Sequence, residues 1–222
     1  MGTPRSDSWR RDVRGGVFVV VFGALVVILS ALIVGLLVSP WLGAFDASLS
    51  AAVRAVRTPA LVEAAKVVTR AGDSVSVILM TAIAAVVLFV LGRKHEAVFV
   101  VATVGGGWLL GRVIQELVHR MRPTNVNLIP LPHEFSFPSG HSLATVLLFG
   151  ALSFIALGEI RRPWLRYGLV AVFALLAIAV GMSRVYLGVH WLGDVIGAWL
   201  LGGAVLLVAV LGFFALTQPR DI

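Results

Sequence analysis

Two short polar runs interrupt an otherwise apolar sequence and contain side chains that could do chemistry. One spans residues 138–141 and reads Pro-Ser-Gly-His; the other spans residues 183–194 and contains a second histidine. Polar groups without partners are costly inside a membrane, so such clusters are candidate functional sites. Together the two runs contain a nucleophile, a proton donor, an orienting carboxylate and a cation, which are the groups that phosphoryl transfer needs.

The second run places His190 four residues before Asp194. If a helix begins near His190, the two side chains lie on one face. The carboxylate can then accept from one ring nitrogen and leave the other free as a nucleophile. Arg184, just upstream, offers a planar guanidinium that fits phosphate oxygens. The alternative is a buried hydrogen-bonded pair at a helix start.

The first run predicts a tight turn that opens a helix. Ser139 or Ser142 can cap that helix, and Gly140 allows the backbone to approach an anion near the helix N-terminus. His141 then lies at the mouth of the anion site. A plain loop-to-helix turn is the alternative for this run taken alone.

The composition predicts an integral membrane protein. The chain has 222 residues, of which 59% are hydrophobic and 13% charged, and its mean hydropathy is +0.99. The absence of cysteine excludes disulfides, thiolate metal sites and cysteine nucleophiles. We expect one all-α domain over residues 1–222. Apolar runs of about 20 residues predict six transmembrane helices, at 16–39, 74–92, 96–118, 142–158, 164–182 and 192–216.

The segment 40–73 connects the first two predicted spans. Apolar and charged residues alternate within it, which predicts one or two amphipathic helices in the outer membrane interface, divided at Pro59. A packed cap over the bundle is the alternative. Glycines in the third and sixth spans predict close packing between helices of one monomer, with a dimer interface as the alternative.

Basic residues indicate the orientation. With the N-terminus in the cytoplasm, ten of the 18 Lys and Arg residues lie on the inner side. The bias is clearest in the short inner loops 93–95 and 159–163. We therefore expect a plasma-membrane protein with both termini in the cytoplasm and both polar runs on the outer side.

Taken together, the motifs resemble those of the type 2 phosphatidic acid phosphatases, or lipid phosphate phosphatases, which share a core with vanadium haloperoxidases. The family pattern joins Lys, six residues and Arg-Pro; Pro-Ser-Gly-His; and Ser-Arg, five residues, His, three residues and Asp. The second and third parts are complete here. The first has Arg122-Pro123, but Gln115 stands at the lysine position.

The resemblance implies a role for each matching residue. It implies that His190 is the nucleophile that forms a phosphohistidine, that Asp194 orients it, and that His141 protonates the leaving oxygen. The phosphoryl oxygens are then held by a cradle that comprises Arg122, Arg184, the Ser139 hydroxyl and the Gly140 amide. Cations in this cradle replace a divalent metal, so we expect neither a metal nor another cofactor. A metal site formed by His141, His190, Asp194 and Glu134 is the less favoured interpretation.

Gln115 leaves the predicted phosphate pocket one positive charge short. Arg112 and Arg120 lie on either side of it in the sequence, and our hypothesis is that one of them, Arg120 in preference, supplies the charge. In the alternative, Arg112 simply pairs with Glu116.

The predicted substrate is an amphiphile, since the site lies at the membrane surface where neighbouring helices can admit a lipid tail. The resemblance implies hydrolysis of undecaprenyl diphosphate, phosphatidylglycerol phosphate or phosphatidic acid. Membrane lipids are the other expected partners, and nucleic acid is not expected; the oligomeric state stays open. His133 and Glu134 are candidates for contact with the headgroup. The alternatives are a lipid phosphotransferase and a non-catalytic phospholipid-binding or transport protein.

Overall fold

A computed structural model describes residues 40–124, 127–130 and 135–217, in which the regular structure is helical apart from one isolated β-bridge, Met121 to Phe135. One short 3₁₀ turn spans Arg70–Gly72. The helices of these ranges are α1 (Pro40–Ala55), α2 (Pro59–Thr69), α3 (Ser74–Val90), α4 (Lys94–Val118), α5 (Gly140–Glu159), α6 (Pro163–Tyr186) and α7 (Leu192–Thr217).

Four of these helices, α4 to α7, are long and apolar enough to cross a bilayer. The shorter α3 follows α2 and the 3₁₀ turn through a bend of 47°, and the bent pair passes the same test as one broken span. The described residues thus contain four candidate spans, or five with the bent pair. A helix occupies each predicted span from residue 74 onward, while the predicted span 16–39 lies outside the described residues, so the count of six stays a prediction.

The segment 40–73 forms two helices that separate just before Pro59. The Thr58 hydroxyl accepts a hydrogen bond from the Leu61 N–H at 3.3 Å and caps α2, in which Pro59 takes the first position. Arg57, in the same linker, donates from Nε to the Tyr186 carbonyl at 2.9 Å, at the end of α6. Pro59 therefore divides the segment as predicted, whereas its location in the membrane interface stays a prediction.

Helix α5 is the central helix and packs against α4, α6 and α7. Leu147 and Leu148 of α5 are fully buried in the main core. Gly107 of α4 faces Leu147 so closely that a Cβ on this glycine would overlap the leucine side chain. A glycine on α4 thus permits close helix packing within one monomer, as the sequence predicts.

The packing brings five chain segments together at one end of the bundle. The end of α4, the start of α5 and the loop from α6 to α7 carry the sequence motifs. The 3₁₀ turn and the start of α3 reach the same place, since Asp73 contacts His141.

Candidate active site

The His190–Asp194 pair lies at the start of α7: Asp194 is in its first turn, and His190 precedes the helix by two residues. Asp194 Oδ2 accepts a hydrogen bond from the Trp191 backbone N–H at 2.9 Å, which satisfies an amide group at the helix start. The same oxygen lies 3.4 Å from Nδ1 of His190. This contact is long for a hydrogen bond, and Nδ1 has no other partner among the described residues. Both side chains are buried. The carboxylate lies beside Nδ1, and Nε2 faces away from it.

Arg122 lies against the opposite edge of the His190 ring. Helix α4 ends where His119 takes a left-handed conformation with φ of 51°, a common way for a helix to stop. The chain then turns back, and Arg122 Nη1 donates to the Val189 carbonyl at 2.7 Å and lies 2.9 Å from His190 Nε2. A guanidinium only donates, so Nε2 must accept and the ring proton belongs on Nδ1.

This environment keeps His190 neutral. Burial lowers the pKa of His190 from 6.5 to about 4; Asp194 opposes the shift, and the positive charges of Arg122 and Arg184 add to it. Burial also lowers the pKa of the Arg122 guanidinium, which Asp194 opposes. A neutral imidazole with its lone pair on Nε2 is the form that can attack phosphorus.

The Pro-Ser-Gly-His run forms the turn into α5, as predicted. Ser139 is the residue before the helix, but its side chain does not cap it. Instead its hydroxyl lies 2.9 Å from the Ser142 hydroxyl, and its N–H donates to the Asp194 carbonyl at 3.3 Å. Ser139 is fully buried, whereas Gly140 is exposed and a Cβ there would meet no atom within 4 Å. The glycine therefore leaves open space at the start of α5.

His141 faces an acidic partner that the motifs do not contain. Its Nε2 lies 2.8 Å from Oδ1 of Asp73, the residue that precedes α3. The Asp73 side chain is 48% exposed and that of His141 is 21% exposed. An acceptor at Nε2 favours a proton on that nitrogen and fixes the direction of the ring.

Arg184 approaches the same space from the end of α6. It is buried, and its Nη1 donates to the Thr69 hydroxyl at 2.8 Å. Its Nε has no hydrogen-bond partner among the described residues. A buried donor without a partner is costly, and an anion in the adjacent space would satisfy it.

Gln115 and Arg112 form a pair on α4. Arg112 Nη1 donates to Gln115 Oε1 at 2.8 Å, and Gln115 Nε2 donates to the Phe135 carbonyl at 2.9 Å. Arg112 Nη2 also lies 3.8 Å from Glu116 Oε1, the pairing that the alternative interpretation predicts. Gln115 thus connects the loop before α5 to a nearby guanidinium.

Arg120 does not line the predicted phosphate site. Its Nη1 donates to Asp194 Oδ1 and its Nη2 to Asp46 Oδ2, both at 2.6 Å. Two carboxylates therefore hold the guanidinium behind Asp194. The preference for Arg120 as the replacement for the missing lysine conflicts with this geometry, because its charge is already shared between two buried anions.

One cavity of about 470 Å³ joins these groups. Its apolar wall comes from α3, α4 and α5 and includes Val77, Ile78, Val104, Trp108 and Ala144. Asp194, Ser139 and Arg120 are not among the residues that line the cavity. The polar part of the wall consists of Ser74, Arg112, Gln115, Arg122, His141, Arg184 and His190, with the backbone at Gly140 beside them.

Three contacts of this site escape sequence reasoning. Asp46, Thr69 and Asp73 all come from the segment 40–73 and touch Arg120, Arg184 and His141 respectively. Asp73 and His141 are 68 residues apart, so no local spacing connects them. Their only signal in the sequence is that they are polar residues among apolar ones in this segment, and that signal is weak.

The metal-site interpretation can be tested on the described residues only. Among them, no three His, Asp or Glu side chains are placed to share a metal ion. Glu134, with His133 before it, lies outside the described residues.

Residues 95–218, more than half of the chain, match the PAP2 superfamily. The chain belongs to this superfamily. It is similar to phosphatidylglycerophosphatase B of Bacillus subtilis (strain 168), with 32% identity over 160 residues, which are 71% of this chain and 77% of the relative. It is also similar to an undecaprenyl-diphosphatase of Sulfolobus acidocaldarius, with 38% identity over 117 residues, 50% of each chain.

Solved structures of PAP2 proteins share the fold. The crystal structure of a transmembrane PAP2 type phosphatidylglycerolphosphate phosphatase from Bacillus subtilis matches with a TM-score of 0.78 and 25% identity, covering 90% of this chain and 98% of that one. LpxE of Aquifex aeolicus has a TM-score of 0.60 and 21% identity, over 73% and 93% of the two chains, and shows the fold alone. The predicted family is confirmed, and the chain is a multi-pass membrane protein whose named relatives are phosphatases and diphosphatases.

Proposed function

We propose that this PAP2 protein is an integral-membrane lipid phosphatase that hydrolyses a phosphate monoester or diphosphate lipid. The observation that carries the proposal is the shared cavity: two histidines and three arginines line a single space that continues along an apolar wall. Such a space suits an anionic headgroup at one end and a lipid tail at the other. The names of the relatives support this substrate class.

The first step follows from the orientation of His190. Its Nε2 lone pair attacks phosphorus and forms an N–P bond while the bond to the leaving oxygen breaks. His141 gives that oxygen a proton, and Asp194 stabilises the positive charge that develops on the His190 ring. Arg122 Nη1 donates toward Nε2, so we expect this donor to turn to a phosphoryl oxygen when the substrate binds.

The second step regenerates the enzyme. Water attacks the phosphohistidine, the N–P bond breaks, and inorganic phosphate leaves. The water proton passes to His141, which is then ready for the next cycle. Arg122, Arg184 and the backbone at Gly140 stabilise the spread charge on the phosphoryl oxygens in both steps.

Arg112 supplies the charge that Gln115 lacks. It lines the cavity, and its contact with Gln115 Oε1 holds the guanidinium at the wall. Arg120 is excluded from this role by its two carboxylate partners. Three guanidiniums at one cavity favour a substrate with more than one phosphate charge to neutralise.

The orientation belongs to the same proposal. The bias of Lys and Arg to the inner loops supports cytoplasmic termini and an active site that opens to the outer side of the plasma membrane. All of the polar groups that line the cavity lie at one end of the helices, so a single orientation fixes which side the site serves.

The decisive test is phosphate release from purified protein with chelator present. The panel contains a prenyl diphosphate, phosphatidylglycerol phosphate and phosphatidic acid. We expect His190→Ala to abolish release, since the nucleophile is lost. His95→Ala is the matched control, because His95 is exposed on α4 and does not line the cavity.

Each other outcome selects a different function. Release that survives in His190→Ala overturns the phosphohistidine mechanism. Lipid binding without turnover of any substrate indicates a binding or transport protein. Transfer of phosphate to an added sugar or lipid acceptor in preference to water indicates a phosphotransferase.

A further inference from the structure

An ion-pair network extends from the predicted nucleophile to a helix outside the motifs. Arg120 contacts Asp194 with one amino group and Asp46 of α1 with the other, each at 2.6 Å. The two carboxylates are fully buried and the Arg120 side chain is 14% exposed. Asp46 Oδ1 in addition accepts the backbone N–H of Gly193 at 3.1 Å. Four groups from three parts of the chain are therefore connected in series, from Asp46 to His190.

The network determines which oxygen of Asp194 serves His190. Arg120 occupies Oδ1, while the Trp191 N–H and the His190 ring lie at Oδ2. A buried carboxylate needs such partners, and short charge-assisted bonds hold it in one rotamer. Without Arg120, Oδ1 would lack a charged partner and the carboxylate could rotate away from Nδ1.

Asp46 has the complementary task. A guanidinium in a buried position needs neutralising charge, and Asp194 alone would have to provide it. Asp46 shares the charge of Arg120, so more of the negative charge of Asp194 remains available to the imidazolium that forms during catalysis. The hydrogen bond from Gly193 also fixes Asp46 against the start of α7.

We propose that Arg120 and Asp46 are positioning residues for the phosphoryl-transfer nucleophile, acting on His190 through Asp194. The proposal rests on the function proposed above, because it assigns the network a task in that reaction. It also gives the segment 40–73 a part in the chemistry: α1 supplies the outer carboxylate of the network. Neither residue touches the cavity, so the expected effect falls on turnover and not on lipid binding.

The first experiment separates kcat from KM. We expect Arg120→Lys, which keeps the charge but cannot hold two carboxylates in the same geometry, to lower kcat by about 10- to 100-fold with KM within about twofold of the original. Asp46→Asn should lower kcat by about tenfold. Glu63→Gln is the matched control, since Glu63 is an exposed acid of the same segment that pairs only with Lys66 among the described residues, and it should leave kcat unchanged.

A double variant tests whether the two residues act as one unit. If Asp46 works only through Arg120, Asp46→Asn combined with Arg120→Lys should be no worse than the more damaged single variant. Independent contributions would instead multiply, to about 100- to 1000-fold. Multiplying effects would overturn the series arrangement.

The protonation of His190 distinguishes positioning from simple loosening of the site. Its resonance in histidine-labelled protein is identified by its absence from His190→Asn, and its midpoint is followed against pH. A loosened site admits water and moves the midpoint of either variant up toward 6.5. If the proposal is correct, the midpoint in Asp46→Asn stays at or below that of the unsubstituted protein. Without the charge of Asp46, Arg120 neutralises more of the negative charge of Asp194, so the protonated His190 ring is stabilised less. Three charged groups near the ring set this midpoint: Asp194 of α7, Arg122 after α4 and Arg184 of α6. Arg120 and Asp46 act on it through Asp194. The His141–Asp73 pair lies across the cavity.

The results keep this inference separate from the proposed function. If the unsubstituted protein has no phosphatase activity, or if His190→Ala is active, the proposed function itself is wrong. Normal kcat in both Asp46→Asn and Arg120→Lys, alongside an inactive His190→Ala, would defeat only the network proposal. Thermal unfolding of each variant checks that it is folded, and Arg120→Lys retains the positive charge between the two carboxylates.

Discussion

The protonation state of His190 is the residue-scale property that matters most to the proposed reaction. Its pKa is lowered by burial to about 4 in the folded protein, while the unfolded chain has a value near 6.5. A lowered value means that the neutral, nucleophilic form persists as the pH falls and is lost only near pH 4. Below about pH 6.5 the unfolded chain takes up a proton that the folded chain does not, so the free energy of unfolding falls as the pH falls.

We therefore expect the His190 ring to stay unprotonated at pH 5. The measurement is histidine NMR in detergent, with the resonance assigned through His190→Asn and the denatured protein as the control. A midpoint near 6.5 in the folded protein would contradict the prediction. It would mean that water reaches the ring and that about a quarter of the nucleophile is protonated at pH 7.

The same residues show what the sequence can and cannot predict about the site. Spacing alone predicts that Asp194 serves His190, because four residues at a helix start bring two side chains together. The role of Arg120 cannot be predicted in this way. A cation next to a motif suggests a phosphate ligand, but Arg120 binds two carboxylates, and Asp46 is 74 residues away from it in the sequence. Asp73 escapes prediction for the same reason, since only the folded chain brings it to His141.

At the scale of elements, glycines determine how closely α4 approaches α5. Gly107 faces the fully buried Leu147, and a Cβ there would overlap the leucine. A Cβ on Gly106, the residue before it, would meet no atom within 4 Å. Alanine substitutions at these two adjacent positions therefore separate the effect of helix propensity from the effect of packing.

We expect Gly107→Ala to destabilise the protein by about 1–3 kcal/mol through overpacking. Gly106→Ala should be neutral or stabilising by up to about 1 kcal/mol, because alanine is the better helix former. Thermal unfolding of both variants in the same detergent measures the difference. A Gly107→Ala variant that is as stable as Gly106→Ala would show that α5 can move away from α4 at little cost.

The sequence predicts the elements better than their partners. Apolar runs of about 20 residues locate α4 to α7, and Pro59 correctly divides the segment before α3. The clustered glycines indicate close packing, but only the structure shows that Leu147 is the side chain opposite Gly107. Periodicity describes one helix at a time, whereas the neighbour of each face depends on the whole bundle.

At the scale of the whole molecule, the cavity connects the polar end of the bundle to the space between α3 and α4. Ile78 of α3 and Trp108 of α4 line it and are 65% and 52% exposed on the bundle surface. A lipid whose phosphate reaches His190 can therefore extend its tail between these helices into the bilayer. Gly105 lines the same cavity, and a Cβ there would meet no protein atom within 4 Å.

Gly105→Leu should thus fill the tail path without disturbing the fold. Displacing two or three buried methylene groups costs about 2 kcal/mol at roughly 0.8 kcal/mol each, so KM for a long-chain lipid phosphate should rise about 30-fold. Turnover of a short, water-soluble phosphate ester should be unchanged, because its headgroup contacts are the same. Gly106→Leu is the matched control, since Gly106 is adjacent on α4 and does not line this cavity. If activity falls equally with both substrates, the leucine disturbs the catalytic groups. If activity with both substrates is unchanged, lipid tails leave the bundle elsewhere.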